Sequence, residues 1–305
     1  MLSPIILFVY NRPSHTRETL DALAQNILAA DSDLFIFSDG AKENTTEKDK
    51  QQIGSVRKVL YAEKRFKQVT VIESPTNKGL ARSIIEGVSK IVGSHGKAIV
   101  LEDDLITSRH FLKFMNEALD KFENEETVAC ISGYFYPVKE KVPPLFFIKG
   151  ADCWGWATWK RGWDIFESNG KFLLDTILKE DLEDDFNFFG SYPYSNMLKD
   201  QIGGRNSSWA IRWYASAFIK NKLTLYPGKS YVNNIGFDGT GTHSGRTHFE
   251  KTVLSEDAHL YFGIKISEDI TTKRIIANYF TEQLKKGYLK SAANKIKMVL
   301  KRFIQ

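Results

Sequence analysis

The sequence predicts an α/β protein built on a doubly wound, mainly parallel sheet with a second half abutting it. Three observations carry this reading. Short, continuous apolar runs recur, of the kind buried on both faces of a parallel sheet. Segments with helical spacing lie between them, so strand and helix alternate through the first ~130 residues. One apolar run, Ala98–Leu101, passes directly into Glu102, Asp103 and Asp104. Those carboxylates stand where open α/β sheets bind ligands, at the strand's carboxyl end.

The elements follow in order. Pro4–Tyr10 is a continuous apolar strand, broken by Asn11-Arg12-Pro13. Ser14 is placed to cap a helix with Leu20, Leu23 and Ile27 on one face. Leu34–Phe37 is a second strand, running into Ser38-Asp39-Gly40, and Ile53, Val56 and Val59/Leu60 return to helical spacing. Val69–Ile72 is a third strand; Asn77-Lys78-Gly79 then opens a helix with Leu80, Ile84, Val88 and Ile91 inward. The acidic strand follows, then a helix from about Ser108 carrying Phe111, Phe114/Met115, Ala118 and Phe122, and a strand over Val128–Ser132.

After Gly133 the pattern changes. Pro137, Pro143 and Pro144 punctuate a loop, Leu145–Ile148 is a short strand, and an aromatic segment runs from Trp154 to Trp163. Glu180–Phe189 is acidic and aromatic, helical in part. Ser207 or Ser208 caps a helix through Trp209, Ile211, Trp213 and Phe218, and Leu223–Tyr226 is a strand. Residues 236–245 are too glycine-rich for a regular element and are expected to form a lid loop. The expected organisation is a ligand-binding half over 1–133, a second half over 134–265 sharing one cleft with it, and a tail over 266–305.

Hydrophobic content of 42% and charged content of 26% describe an ordinary folded chain. Two cysteines, Cys130 and Cys153, fit a reducing cytoplasm rather than a disulfide scaffold. Pro4–Tyr10 is too short for the apolar region of a signal peptide, and no run reaches transmembrane length. The net charge of +5 is segregated: Lys285–Gln305 holds seven Lys or Arg and no acid. The body is therefore slightly acidic, which argues against a nucleic-acid partner. The tail repeats Leu289, Ala292/Ala293, Ile296, Val299/Leu300 and Phe303 at helical spacing among its lysines, a pattern suited to an anionic membrane surface.

No G-x-G-x-x-G follows a strand, and Gly96-Lys97 lacks the upstream spacing of a phosphate loop. What remains is a set of strand ends converging on a ligand: Tyr10-Asn11-Arg12, Ser38-Asp39-Gly40, Asn77–Arg82 including Lys78, and Glu102-Asp103-Asp104. Arg12 and Arg82 suit phosphate, and Asp39 suits a base imide or a ribose hydroxyl. Hard carboxylate oxygens in one cluster suit Mn²⁺ or Mg²⁺ completed by substrate phosphates. Trp154-Gly155-Trp156 and Trp159 offer either a sugar platform or core packing. His243 stands in the glycine-rich loop, where a closing lid would bring it to metal or diphosphate; with His248 it makes a poor zinc site.

In this order, Pro4–Arg12, Phe37–Gly40, Asn77–Arg82, Val100–Asp104, Cys153–Trp159, Trp209–Trp213 and Asn233–His243 resemble the GT-A-fold glycosyltransferases, particularly bacterial relatives of N-acetylglucosaminyltransferase I. The resemblance covers about residues 4–245. It implies a GT-A fold, a nucleotide-diphospho-sugar donor, UDP foremost, and a glycan or lipid-linked acceptor. It places Asp39 at the donor's base, Arg12 and Arg82 near the nucleotide, and Glu102 and Asp103 at ribose and sugar. Asp104 would bind the metal, and His243 would lie in the loop closing over the donor. One departure stands out. Similar inverting enzymes carry a carboxylate base in the tryptophan-flanked segment, which here is Trp209-Ala-Ile-Arg-Trp213 without an acid. Asp238, in the lid, and Asp200, upstream of that helix, are the alternative bases. A sugar nucleotidyltransferase or a non-catalytic carbohydrate-binding protein are the rival readings.

Overall fold

The computed structural model describes residues 1–239, 252–259 and 261–303, with the side chains of 287–303 excepted. β1 (Ile5–Val9), wholly buried, lies between β2 (Asp33–Ser38) and β4 (Lys97–Glu102), with β3 (Gln68–Glu73) beyond β2. These strands are parallel. The same sheet continues through β8 (Trp156–Trp159), β6 (Val128–Ser132), β9 (Leu223–Pro227) and β7 (Leu145–Lys149), in the order β3-β2-β1-β4-β8-β6-β9-β7. β8 runs antiparallel to β4 and β6, and β7 antiparallel to β9, so six of eight strands point one way. The expected mainly parallel α/β sheet is present, and one sheet runs through both halves of the chain.

The alternation of β1 explains the layers. Ile5, Leu7 and Val9 face a core with Leu20 and Leu23 of α1 (Pro13–Ala24), Val56 and Leu60 of α2 (Glu47–Ala62) and the aromatic face of α4 (Phe111–Lys121). Ile6 and Phe8 face the opposite core, with Ile84, Val88 and Ile91 of α3 (Leu80–His95), Trp156 of β8, and Trp209 and Trp213 of α9 (Trp209–Ile219). A third aromatic core joins α6 (Gly170–Lys179), α7 (Glu183–Phe186), α8 (Tyr194–Ile202) and the first turns of α10 (Ile270–Phe303). The short α5 (Lys160–Trp163) follows β8.

Several boundaries differ from expectation. α1 starts at Pro13 with Arg12 as its N-cap and no side-chain cap, because the proline ring presets the first helical φ and needs no N–H partner. Ile27 lies beyond that helix and is exposed. The helix expected from Ser108 begins at Phe111, because Leu105–Thr107 forms β5, paired with β10 (Val232–Asn234) in a small second sheet. Ser208 caps α9, its hydroxyl accepting from Ile211 N–H at 3.2 Å. Gly236–Asp238 form a 3₁₀ turn that Gly239 ends; residues 240–245 of the expected lid, with His243, lie outside the described residues. No helix of the described residues is long and apolar enough to cross a membrane.

Candidate active site

The order β3-β2-β1-β4 reverses chain progression between β1 and β4, the switch point where open α/β sheets form a crevice. Register sets what stands there. Val9 pairs with Ser38 and Phe8 with Glu102, so Tyr10–Arg12, Asp39 and Glu102–Asp104 leave the sheet side by side.

Arg12 bridges the acidic pair. Its Nη2 donates to Asp104 Oδ2 at 2.9 Å and also to Asp103 Oδ1. Burial works against the guanidinium's charge, but the two carboxylates outweigh it and raise its pKa. Burial raises the Asp103 carboxyl, with Arg12 opposing. Glu102 is pushed up to about 8 by burial and by its neighbours Asp104 and Asp103. The Asp103 carbonyl accepts from Thr19 Oγ1 at 2.9 Å, and the Asp104 carbonyl from Ile235 N–H at 2.8 Å, which fixes the backbone beneath both side chains. Asp103 Oδ2 is buried with no hydrogen-bond partner, and so is Arg12 Nη1. Gly236 lies against the Asp104 carboxylate so closely that a β-carbon would overlap it. His15 Nε2 and Asp238 Oδ2, 3.3 Å apart, tie the 3₁₀ turn to α1.

Asp39 has a different task. Its carboxylate accepts from the N–H groups of Gly40 and Lys78 at 2.9 Å and Gly79 at 3.0 Å, pinning the start of α3 to the end of β2. Asn77 Nδ2 donates to the Gly40 carbonyl at 2.9 Å, reinforcing that junction. Lys78 and Arg82 both pair with Glu86, at 2.7 and 2.6 Å, on the outer face of α3. Tyr10, Asn11, Lys42, Thr45 and Asp49 border a cavity of about 460 Å³ beside the rim.

The tryptophans divide. Trp154 stands edge-on to Tyr134 at 4.7 Å and Phe237 at 5.6 Å, on the cleft side. Trp156 is 1% exposed, packed with Trp163, Trp209 and Trp213, so it builds core instead of lining the cleft. Trp159 is likewise core, its Nε1 donating to the Leu119 carbonyl. Gly155, with φ of 62°, lets the chain turn into β8 where a β-carbon would strike Val232. Asp200 pairs with Arg205 at 2.5 Å on an exposed face at the end of α8. One residue that pattern reading passed over is Asp152, partly exposed, whose Oδ1 accepts from the N–H groups of Cys153 at 2.6 Å and Trp154 at 3.2 Å. A single aspartate before an aromatic segment has no periodicity to mark it.

Among the described residues, no three His, Cys, Asp or Glu side chains converge as a metal cage. The rim nevertheless fits an ion whose shell a ligand completes. It offers hard oxygens at Asp104, an orphaned buried oxygen at Asp103, and a space beside Asp104 that only glycine leaves open.

A doubly wound sheet with carboxylates gathered at its switch point faces an aromatic second half. The chain belongs to glycosyl transferase family 2, whose family model matches residues 5–181. Similar solved structures include the mannosyltransferase PcManGT from Pyrobaculum calidifontis in complex with GDP-Man and Mn²⁺. It is 15% identical, over 43% of this chain and 35% of that one, with a TM-score of 0.32. TarS 1-349 of S. aureus is 11% identical over 76% and 60%, with a TM-score of 0.41. Glucosyl-3-phosphoglycerate synthase of Mycobacterium tuberculosis, in complex with Mn²⁺, UDP and phosphoglyceric acid, is 13% identical over 59% and 66%, with a TM-score of 0.32. The chain spans less than two thirds of each of these chains. No curated protein matches it.

Proposed function

We propose that this glycosyltransferase moves a hexosyl or N-acetylhexosaminyl unit, with inversion, from a nucleotide-diphospho-sugar, UDP foremost, to a hydroxyl of a glycan or lipid-linked acceptor in cell-surface polysaccharide synthesis. The observation that carries the donor reading is Arg12 held between Asp103 and Asp104 at the switch point: this rim already accommodates a cation. Asp104, with the orphaned Asp103 oxygen, would hold Mn²⁺ or Mg²⁺. When bound, the ion neutralises charge on the departing diphosphate. Arg12 is then free to meet a phosphate, and Glu102 faces the sugar side. The Tyr10–Asp49 cavity is the place for the nucleoside, and Trp154 with Tyr134 offers rings for a sugar to stack on. We assign residues 1–133 to the donor and 134–265 to the acceptor. The basic tail would rest on the inner face of the cytoplasmic membrane, beside a lipid-linked acceptor. Thermal shift of the full chain against a panel of nucleotide sugars, with and without Mn²⁺, tests the reading. Stabilisation by one nucleotide series that grows with Mn²⁺ is expected; none by any nucleotide would overturn it.

A further inference from the structure

We propose that Asp152 is the general base of this glycosyltransferase, taking the proton of the acceptor hydroxyl at the foot of a tyrosine-walled acceptor subsite. The proposal rests on the donor reading above and adds the group that reading lacks.

Trp156 pairs with Val100 in antiparallel register, so the chain before β8 travels back over the carboxyl end of β4. Cys153 lies within electrostatic range of Asp152 and also of Glu102 and Asp104. Asp152 thus belongs to the segment of the second half that reaches the donor rim.

The two N–H groups on Oδ1 fix the carboxylate's orientation, and the hydroxyls of Tyr226 and Ser132 face it. Around it, Tyr134 meets Trp154 at 4.7 Å and Tyr136 at 5.3 Å, and Tyr192 meets Tyr194 at 4.5 Å. Rings with hydroxyl tips around one partly exposed carboxylate suit a sugar ring whose hydroxyl points inward.

The two acids offered as alternative bases are engaged elsewhere. Asp200 is held by Arg205 on the surface, Asp238 by His15 against α1, and the first turn of α9 carries no acid. Burial raises the Asp152 carboxyl, which brings it nearer the range useful to a base at neutral pH. The titratable groups facing it are Tyr134, Tyr136, Tyr194, Tyr226, Cys130 and Cys153.

The step balances. The acceptor oxygen forms its bond to the sugar's anomeric carbon as its proton passes to Asp152. The bond from that carbon to the diphosphate oxygen breaks, and its electron pair leaves with the nucleoside diphosphate.

Asp152→Asn separates base from scaffold, because the amide oxygen still accepts both N–H groups. The experiment follows UDP release from UDP-sugars, with p-nitrophenyl glycosides and water as acceptors, together with UDP–Mn²⁺ affinity and Tm. The variant is expected to lose about 10²–10⁴-fold in kcat, to lose the acidic limb of the pH–rate profile, and to keep wild-type UDP affinity and Tm. Wild-type turnover in Asp152→Asn would overturn the proposal, as would full loss in Asp238→Asn instead. A fall in UDP affinity or Tm matching the loss of turnover would mark a scaffold residue and overturn it. So would a wild type that binds UDP yet releases none from any donor. A wild type that binds no nucleotide would overturn the donor reading and this proposal with it.

Discussion

Gly236 sits directly against the Asp104 carboxylate, leaving no room for a β-carbon. The contact joins the end of β10, from the second half of the chain, to the acidic end of β4, and the Ile235 N–H to Asp104 carbonyl bond holds it in register. Gly236→Ala must therefore displace either the turn or the carboxylate. We expect a stability loss of about 1–3 kcal/mol, the usual range for overpacking, and a weaker Mn²⁺-dependent gain in UDP affinity. Denaturant unfolding and calorimetry check the two effects; unchanged metal dependence would show that the carboxylate's setting is immaterial.

Lys273 is wholly enclosed at the start of α10, paired with Asp185 and, at 3.0 Å, with Glu268. Lys149 reaches the same Asp185 at 2.9 Å. Burial raises the Asp185 carboxyl, but hydrogen bonds from Lys273 and Lys149 outweigh it and hold the group below the ordinary aspartate value. A lowered folded pKa makes this contribution complete above the unfolded value and lost as pH falls through the folded one. Asp185→Asn should cost about 1.5–3 kcal/mol near neutral pH and flatten the acid side of the stability profile. Equal wild-type and variant stability at pH 7 would contradict this.

A cationic helix end gains about 1 kcal/mol per Lys or Arg near an anionic surface. Full-length protein should pellet with phosphatidylserine vesicles. Reversal of Lys295, Lys297, Lys301 and Arg302 to Glu should abolish this; equal pelleting of both proteins would remove the membrane role.

Much of this was legible in the chain. Pro4–Tyr10 reads as a strand buried on both faces because it is continuously apolar, and Ser207 or Ser208 reads as a cap because both precede a helical run; Ser208 fills that role. The acidic strand end was visible because a buried apolar run that ends in three mutually repelling carboxylates calls for a cation there. β8 was not: four residues with a tryptophan at each end read as an aromatic platform or as core packing, and only the pairing with β4 and β6 shows a strand inserted against the sheet's direction. β5 and β10 are three residues each, too short for any period to show. Arg12's double pairing, Asp39's hold on α3 and the Gly236–Asp104 contact join positions far apart in sequence, and no local pattern records them.

The most direct test of the account is UDP binding to wild type and Asp104→Ala, measured by calorimetry with and without Mn²⁺. The account predicts that Mn²⁺ tightens UDP binding to the wild type, and that Asp104→Ala loses that gain while its ligand-free Tm stays near wild type. Metal-dependent UDP affinity at the wild-type level in Asp104→Ala would contradict the assignment of this rim as the donor site.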